Sequence, residues 1–246
     1  MNLAEDHAAS GMDEQAWANS WKEHLASYQR KAPRTGYFVR TLLPDIGSAL
    51  ELGCGSGRDS AYLATKGYRA TASDYEPDLI DRLAEANTMP GLTFKQADAF
   101  NLPFDDDSYD LVFHNGLIVL FDDDEQIKRL LSEQRRVARK YLLIIAHNDR
   151  NTALKQRFAR LAQDDPIYRI RFFDPDTVAA LARTAVTDAR QIRLLKFGGR
   201  VDALSNPRPR GLRNPFAQAA GSVVPSMYQW LPWSRVERVA CLVALG

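Results

Sequence analysis

The stretch ALELGCGSGRDS, residues 49–60, decides the reading of this chain. It enters through the apolar run Ala49 to Leu52, turns through Gly53, Gly55 and Gly57, and leaves through Asp59, an acid suited to a helix's first turn. A strand, a glycine turn and a helix in that order are the context that a nucleotide-type loop requires. Glycines admit backbone conformations and close ligand approach that a Cβ would forbid, and the helix N-terminus supplies amide donors and a partial positive charge. A carboxylate can sit there; a dinucleotide site would space the glycines GxGxxG and hold a pyrophosphate, whereas here the spacing is GxGxG, a difference that decides nothing by itself.

Outward from this loop, short apolar strands alternate with helical segments, the pattern of βαβ units and a parallel sheet. Strands are predicted at 49–52, 69–73, 92–96, 109–113, 141–146, 191–197 and 239–245, with helices at 59–66, 77–86, 124–140 and 175–184. The fold class is therefore α/β, a seven-stranded, mostly parallel sheet with helices on both faces. Ahead of it, Trp17, Trp21, Leu25 and Tyr28 recur at helical spacing after Asp13, a candidate N-cap, and predict an amphipathic helix that packs on the sheet or serves as a lid. Residues 148–173 and 198–235 exceed ordinary connections. The second carries Pro207, Pro209, Pro215, Pro225 and Pro232 together with Phe216, Tyr228, Trp230 and Trp233, and reads as an ordered cap.

Two acids follow the loop at informative distances. The second strand ends at Asp74 in TASDYEPDLI, where such folds set a carboxylate against ribose hydroxyls, and Tyr75 could lie along an adenine face. The third strand runs into QADAFNLPF, which puts Asp98 where it could accept from an exocyclic amine.

With LELGCGSGRD, SDY, QADAFNLPF and DDSYDLVFHNG in place, the chain resembles the class I, Rossmann-like S-adenosylmethionine-dependent methyltransferase family over roughly residues 45–146. The resemblance implies S-adenosyl-L-methionine as cofactor, with Glu51, Gly53, Cys54, Gly55 and Gly57 around its methionine part. It further implies that Asp74 binds the ribose, that Tyr75 and Ala99 flank adenine, that Asp98 takes its amine, and that His114 and Asn115 lie beneath the methionine part. Residues 1–246 are expected to form one methyltransferase domain, with a helical lid at 1–44, a cofactor-binding half at 45–147 and cap insertions at 148–173 and 198–235. The expected function is methyl transfer to a small-molecule acceptor, anionic or sugar-like, at oxygen. The sequence departs from many small-molecule members where a histidine pair would follow the fourth strand, since LIVLF puts Val119 and Leu120 there.

For a hydroxyl acceptor the enzyme must align donor and acceptor and remove a proton, a task that suits histidine. His147 and His114 end the fifth and fourth strands, at the sheet edge where ligands bind, and are the candidate catalytic residues. His7 and His24 are read as peripheral. Asn148 and Asp149 raise a divalent metal as a second possibility, but the fourth strand brings a histidine and not an acid, so none is assigned. The acidic run 122–125 serves best as a helix start.

No Asn/Asp-Pro-Pro-aromatic run follows strand four, which argues against methylation of planar amines. The basic stretch Arg190, Arg193, Lys196, Arg200, Arg208, Arg210 and Arg213 leaves RNA or protein docked on 190–213 as the alternative to a small acceptor, although nucleic acid is disfavoured. The 246 residues carry a formal charge of +1, so there is no global pull toward nucleic acid or membrane. Two cysteines, Cys54 and Cys241, give no disulfide framework, and an acidic N-terminus without a long apolar run anywhere predicts a cytoplasmic protein.

Overall fold

The computed structural model describes residues 14–204 and 217–246; Asp13, His7, Pro207, Arg208, Pro209, Arg210, Arg213, Pro215 and Phe216 lie outside them, as does the side chain of Trp17. Seven strands, β1 (Ser48–Leu52), β2 (Arg69–Asp74), β3 (Leu92–Gln96), β4 (Tyr109–Asn115), β5 (Ala138–His147), β6 (Ala189–Phe197) and β7 (Arg238–Leu245), form one sheet in the order β3-β2-β1-β4-β5-β7-β6. Only β7 runs antiparallel to its neighbours. The chain moves outward from β1 to β3 and then returns to β4, so the crevice between β1 and β4 is the switch point at which open sheets of this kind bind ligands.

Alternation along the strands explains the two buried faces. Leu50, Val112, Leu142 and Ile144 pack with Ile127 and Leu130 of α5 (Asp124–Val137) and with Val178 and Leu181 of α7 (Pro175–Ala185). Ala49, Leu111, Phe113 and Leu143 pack with Phe38 of α2 (Arg34–Leu42), Leu63 of α3 (Arg58–Thr65) and Val224 of α8 (Ala217–Met227). Leu79, Ile80 and Leu83 of α4 (Pro77–Ala86) cover Cys54 and Ala72 on that second side. Two further helices, α1 (Glu14–Gln29) and α6 (Thr152–Leu161), lie over the C-terminal edge of the sheet.

The structure departs from the sequence reading at identifiable places. The helix expected to reach Lys140 ends at Val137, and residues 138–140 begin β5. Arg139 donates to Asp110 at 2.6 Å and Lys140 lies 3.1 Å from it, so pairing with the carboxylate at the start of β4 overrides the helical preference of two basic residues. Helices α2, α6 and α8 were not anticipated. In α2 the run begins beside Pro33 and contains Gly36. In α8, Gly221 permits an approach at which a Cβ would stand 2.9 Å from Tyr37, and Pro225 lies inside the helix, so local propensity opposes what packing selects.

Candidate active site

The loop between β1 and α3 holds Gly53, Gly55 and Gly57 at φ of +60°, +51° and +65°, the left-handed region that side chains rarely adopt. Close contact adds a second requirement: a Cβ on Gly55 would lie 2.3 Å from the Trp21 ring, and one on Gly57 would lie 2.9 Å from Phe94. The Gly55 amide donates to Asp74 at 3.0 Å, which ties the loop to the end of β2. Burial pushes the Asp74 carboxyl above its ordinary value, and the Gly55, Glu76 and Tyr75 amides oppose that rise.

A cavity of about 350 Å³ opens along the C-terminal edge of the sheet. Gly53, Gly55, Asp74, Tyr75, Asp98, Ala99, Asn115 and His147 line it, so the structure brings together most of the residues singled out in the sequence. Asp98 is fixed by accepting from the Phe100 amide at 2.9 Å.

Glu51, Cys54, Gly57 and His114 are not on its wall. Glu51 points from β1 toward α3, where it accepts from the amide and hydroxyl of Ser60 at 3.1 and 2.6 Å. Burial, reinforced by Asp59, raises its pKa, and its contacts position the glycine loop's outgoing helix. The Cys54 side chain packs among Ala72, Leu79 and Leu83.

The two histidines part company. His114 is wholly buried between Leu52 and Ile144 on the adjoining strands, neither ring nitrogen has a hydrogen-bond partner, and burial lowers its pKa to about 3. The physical reason is strand alternation, which turns residue 114 into the core face while 115 faces the ligand side. His147 reaches the cavity, its ring packed 5.1 Å from Phe158 and 5.5 Å from Phe172, centroid to centroid. Its Nδ1 is enclosed without a partner, which leaves Nε2 to face the cavity. Burial, and then Arg238 and Arg34, hold its pKa well below that of a free histidine.

Helix α1 covers the opening with Trp21, Lys22, Leu25 and Tyr28, and residues 158–170 meet it with Phe158, Ile167, Tyr168 and Ile170. Asp165 joins the two, accepting from Ser20 at 2.5 Å and pairing with His24 at 2.7 Å. His24, read from the sequence as peripheral, is thus a latch residue. The described part of 198–235 takes no share in the wall: Trp230 is 91% exposed, while Val224 and Tyr228 pack into the core beneath α2. The expectation that Trp230 and Trp233 face an acceptor is corrected accordingly. None of the described members of the basic stretch lines the cavity either, and Arg190 and Arg193 stand exposed on the edge strand β6.

Asn148 and Asp149 are engaged structurally, the first donating to the Trp233 and Val236 carbonyls at 2.8 and 3.0 Å and the second pairing with Lys155. Among the described residues no group of three or more His, Cys, Asp or Glu side chains is placed to hold a metal ion. The acidic run behaves as a helix start, since Asp123 accepts from the Glu125 amide at 2.9 Å.

Arg238 is the wall residue that sequence reading missed. It opens β7, directly opposite His147 in the β5–β7 ladder, and its guanidinium donates to Asn115 Oδ1. A charged residue just before a terminal apolar strand was the available signal. Its meaning depended on knowing that β7 runs antiparallel, which brings the strand's first residue, not its last, to the ligand edge.

Residues 49–141 match the family described as a methyltransferase domain. Over these residues the chain carries a methyltransferase domain. The domain is similar to the phthiotriol/phenolphthiotriol dimycocerosates methyltransferase of Mycobacterium tuberculosis, at 31% identity over 48% of this chain and 41% of that one. It is also similar to the demethylmenaquinone methyltransferase of Clavibacter sepedonicus, at 38% identity over 30% of this chain and 31% of that one. The chain thus spans less than half the length of these relatives. Its whole fold resembles a solved S-adenosylmethionine-dependent methyltransferase of Thermotoga maritima described as a possible histamine N-methyltransferase (TM-score 0.60, 17% identity, 94% of this chain and 97% of that one). It likewise resembles a chain from a complex of the Haloferax volcanii Trm112 methyltransferase activator with a methyltransferase (TM-score 0.61, 15% identity, 95% and 98%). Among the described residues no helix is long and apolar enough to cross a membrane.

Proposed function

We propose that this protein transfers a methyl group from S-adenosylmethionine to an oxygen of a small-molecule acceptor held beneath α1. The observation that carries the reading is that one cavity contains both the glycine loop with Asp74 and Asp98 and the imidazole of His147. The residues fit the cofactor: a glycine loop on the cavity wall in the left-handed backbone region, a carboxylate at the end of β2 for two ribose hydroxyls, and Asp98 for the adenine amine. Bound there, the cofactor supplies an electrophilic methyl group on a sulfonium whose departure leaves a neutral thioether.

The chain's own residues do the rest. Helix α1 and residues 158–170 exclude water and fix the acceptor's position, the alignment on which displacement rates depend most. His147 is unprotonated at neutral pH and can accept the hydroxyl proton at Nε2 as the acceptor oxygen bonds to carbon. Relatives whose names specify phthiotriol dimycocerosates and demethylmenaquinone support a small, largely apolar acceptor. The test is to incubate the purified protein with methyl-labelled S-adenosylmethionine and separate fractions of small metabolites, RNA and protein. Label in the small-molecule fraction as an alkali-stable methyl ether supports the reading; label only in RNA or protein overturns it.

A further inference from the structure

We infer that the acceptor is an amphipathic acid whose anionic group pairs with Arg238 while its apolar body lies against Phe158 and Tyr168. The word acceptor rests on the methyl-transfer reading above; the anion site does not. Arg238 lines the cavity, and among the described residues no carboxylate lies within ion-pair distance of it. Arg34 contacts Asp202 at 2.7 Å and Glu237 at 2.9 Å, so the acid next to Arg238 in sequence, although its charge is felt at Arg238, makes its ion pair with another arginine. A buried cation without a counter-ion is costly unless a ligand supplies one.

The guanidinium is also built into place. It donates to Asn115 Oδ1, and Asn115 is oriented in turn by donating to Thr35 Oγ1 at 2.8 Å. It passes so close to Gly116 that a Cβ there would stand 3.2 Å from Nη1. Three polar groups on α2, β4 and β7 thus aim one fork of donors into the cavity, the arrangement that recognises a carboxylate. The rest of that end is apolar, with Phe158 and Tyr168 meeting edge to face at 5.2 Å.

A carboxylate could come from the cofactor's methionine part or from the acceptor. Register favours the acceptor: Arg238 stands opposite His147, the side chain placed to take the acceptor's proton. There is a chemical consequence. Arg238 is among the charges that hold His147 weakly basic, so an anion seated on it would raise the basicity of the imidazole as the acceptor arrives.

The experiment is a calorimetric titration of the protein, alone and saturated with S-adenosylhomocysteine, with 6-hydroxy-2-naphthoate and with its uncharged carboxamide. Wild type should bind the acid at least ~10-fold more tightly than the amide, as expected for one charge-assisted contact. In Arg238→Gln the difference should fall below ~3-fold, and Arg238→Lys should keep part of it, with S-adenosylhomocysteine affinity changed by less than ~3-fold in both. Equal binding of acid and amide by wild type, or an acid preference that survives in a folded Arg238→Gln, overturns the inference. So does a ~10-fold loss of S-adenosylhomocysteine affinity with acid preference intact, which would assign the carboxylate to the cofactor. Should wild type discriminate acid from amide yet bind no S-adenosylhomocysteine, the anion site stands and the methyl-transfer reading falls.

Discussion

Arg238 and His147 are register partners across the antiparallel β5–β7 ladder, at the edge where β1, β2, β4 and β5 end. The pairing fixes a cation beside an imidazole that is already desolvated, and both effects favour the neutral ring.

The direction of that shift gives the first expectation. Because the pKa of His147 lies below the free value of about 6.5, its ring stays unprotonated from pH 8 through pH 6.5 and takes up a proton only in more acid solution. Nitrogen-15 resonances of the ring should therefore stay in their neutral positions across pH 6.5–8, a range set by that ordinary histidine value. Arg238→Gln removes one of the opposing charges and should move protonation toward neutrality. His147→Ala should lower turnover by ~100-fold or more without weakening cofactor binding. Turnover equal to wild type would remove His147 from the mechanism.

His114 makes a prediction about stability and none about catalysis. Its folded pKa of about 3 lies below the unfolded value of about 6.5, so between these limits the unfolded chain binds more protons. Its contribution is fully present above that unfolded value and is lost as pH falls, by up to about 1.4 kcal/mol per pH unit. In His114→Leu this component disappears. Denaturant unfolding at pH 7 and pH 5 should show a smaller difference in the variant than in wild type, with stability at pH 7 held within about 1 kcal/mol because neither ring nitrogen makes a hydrogen bond to lose. An unchanged pH difference would contradict the account.

Asp165 joins α1 to the segment that faces it across the cavity. Asp165→Ala removes the partner that Ser20 and His24 share. It should accelerate S-adenosylhomocysteine release by about 5- to 30-fold, the scale of one or two lost hydrogen bonds to a charged group, while the melting temperature changes little. Stopped-flow fluorescence would follow release through Trp21, which packs on Gly55. A release rate equal to that of wild type would mean that the latch does not hold the lid.

Much of this was legible in the residues. The loop from Gly53 to Gly57 and the acids Asp74 and Asp98 could be placed because βαβ connections are short and their strands are continuous apolar runs, so sequence distance translates into position. The two histidines could not be separated that way. Both end parallel strands, and which faces ligand depends on the pleat, a one-residue difference that sends His114 into the core and leaves His147 on the cavity wall. Glu51 is set by the same pleat, which turns it toward α3. Arg238, Phe158 and Tyr168 lay in segments whose direction or helical character was unknown, and among the described residues of the second insertion Tyr228 shows that an aromatic residue can signal packing on the core.

If the glycine loop and Asp74 form the adenosyl site, calorimetric titration of wild type and Asp74→Ala with S-adenosylhomocysteine reports it directly. Wild type should then show saturable one-to-one binding, the variant a loss of ~10- to 100-fold for two charge-assisted bonds to hydroxyls, and neither should bind nicotinamide dinucleotides. Equal affinity in wild type and a folded Asp74→Ala, or tighter binding of a nicotinamide cofactor than of S-adenosylhomocysteine, would contradict it.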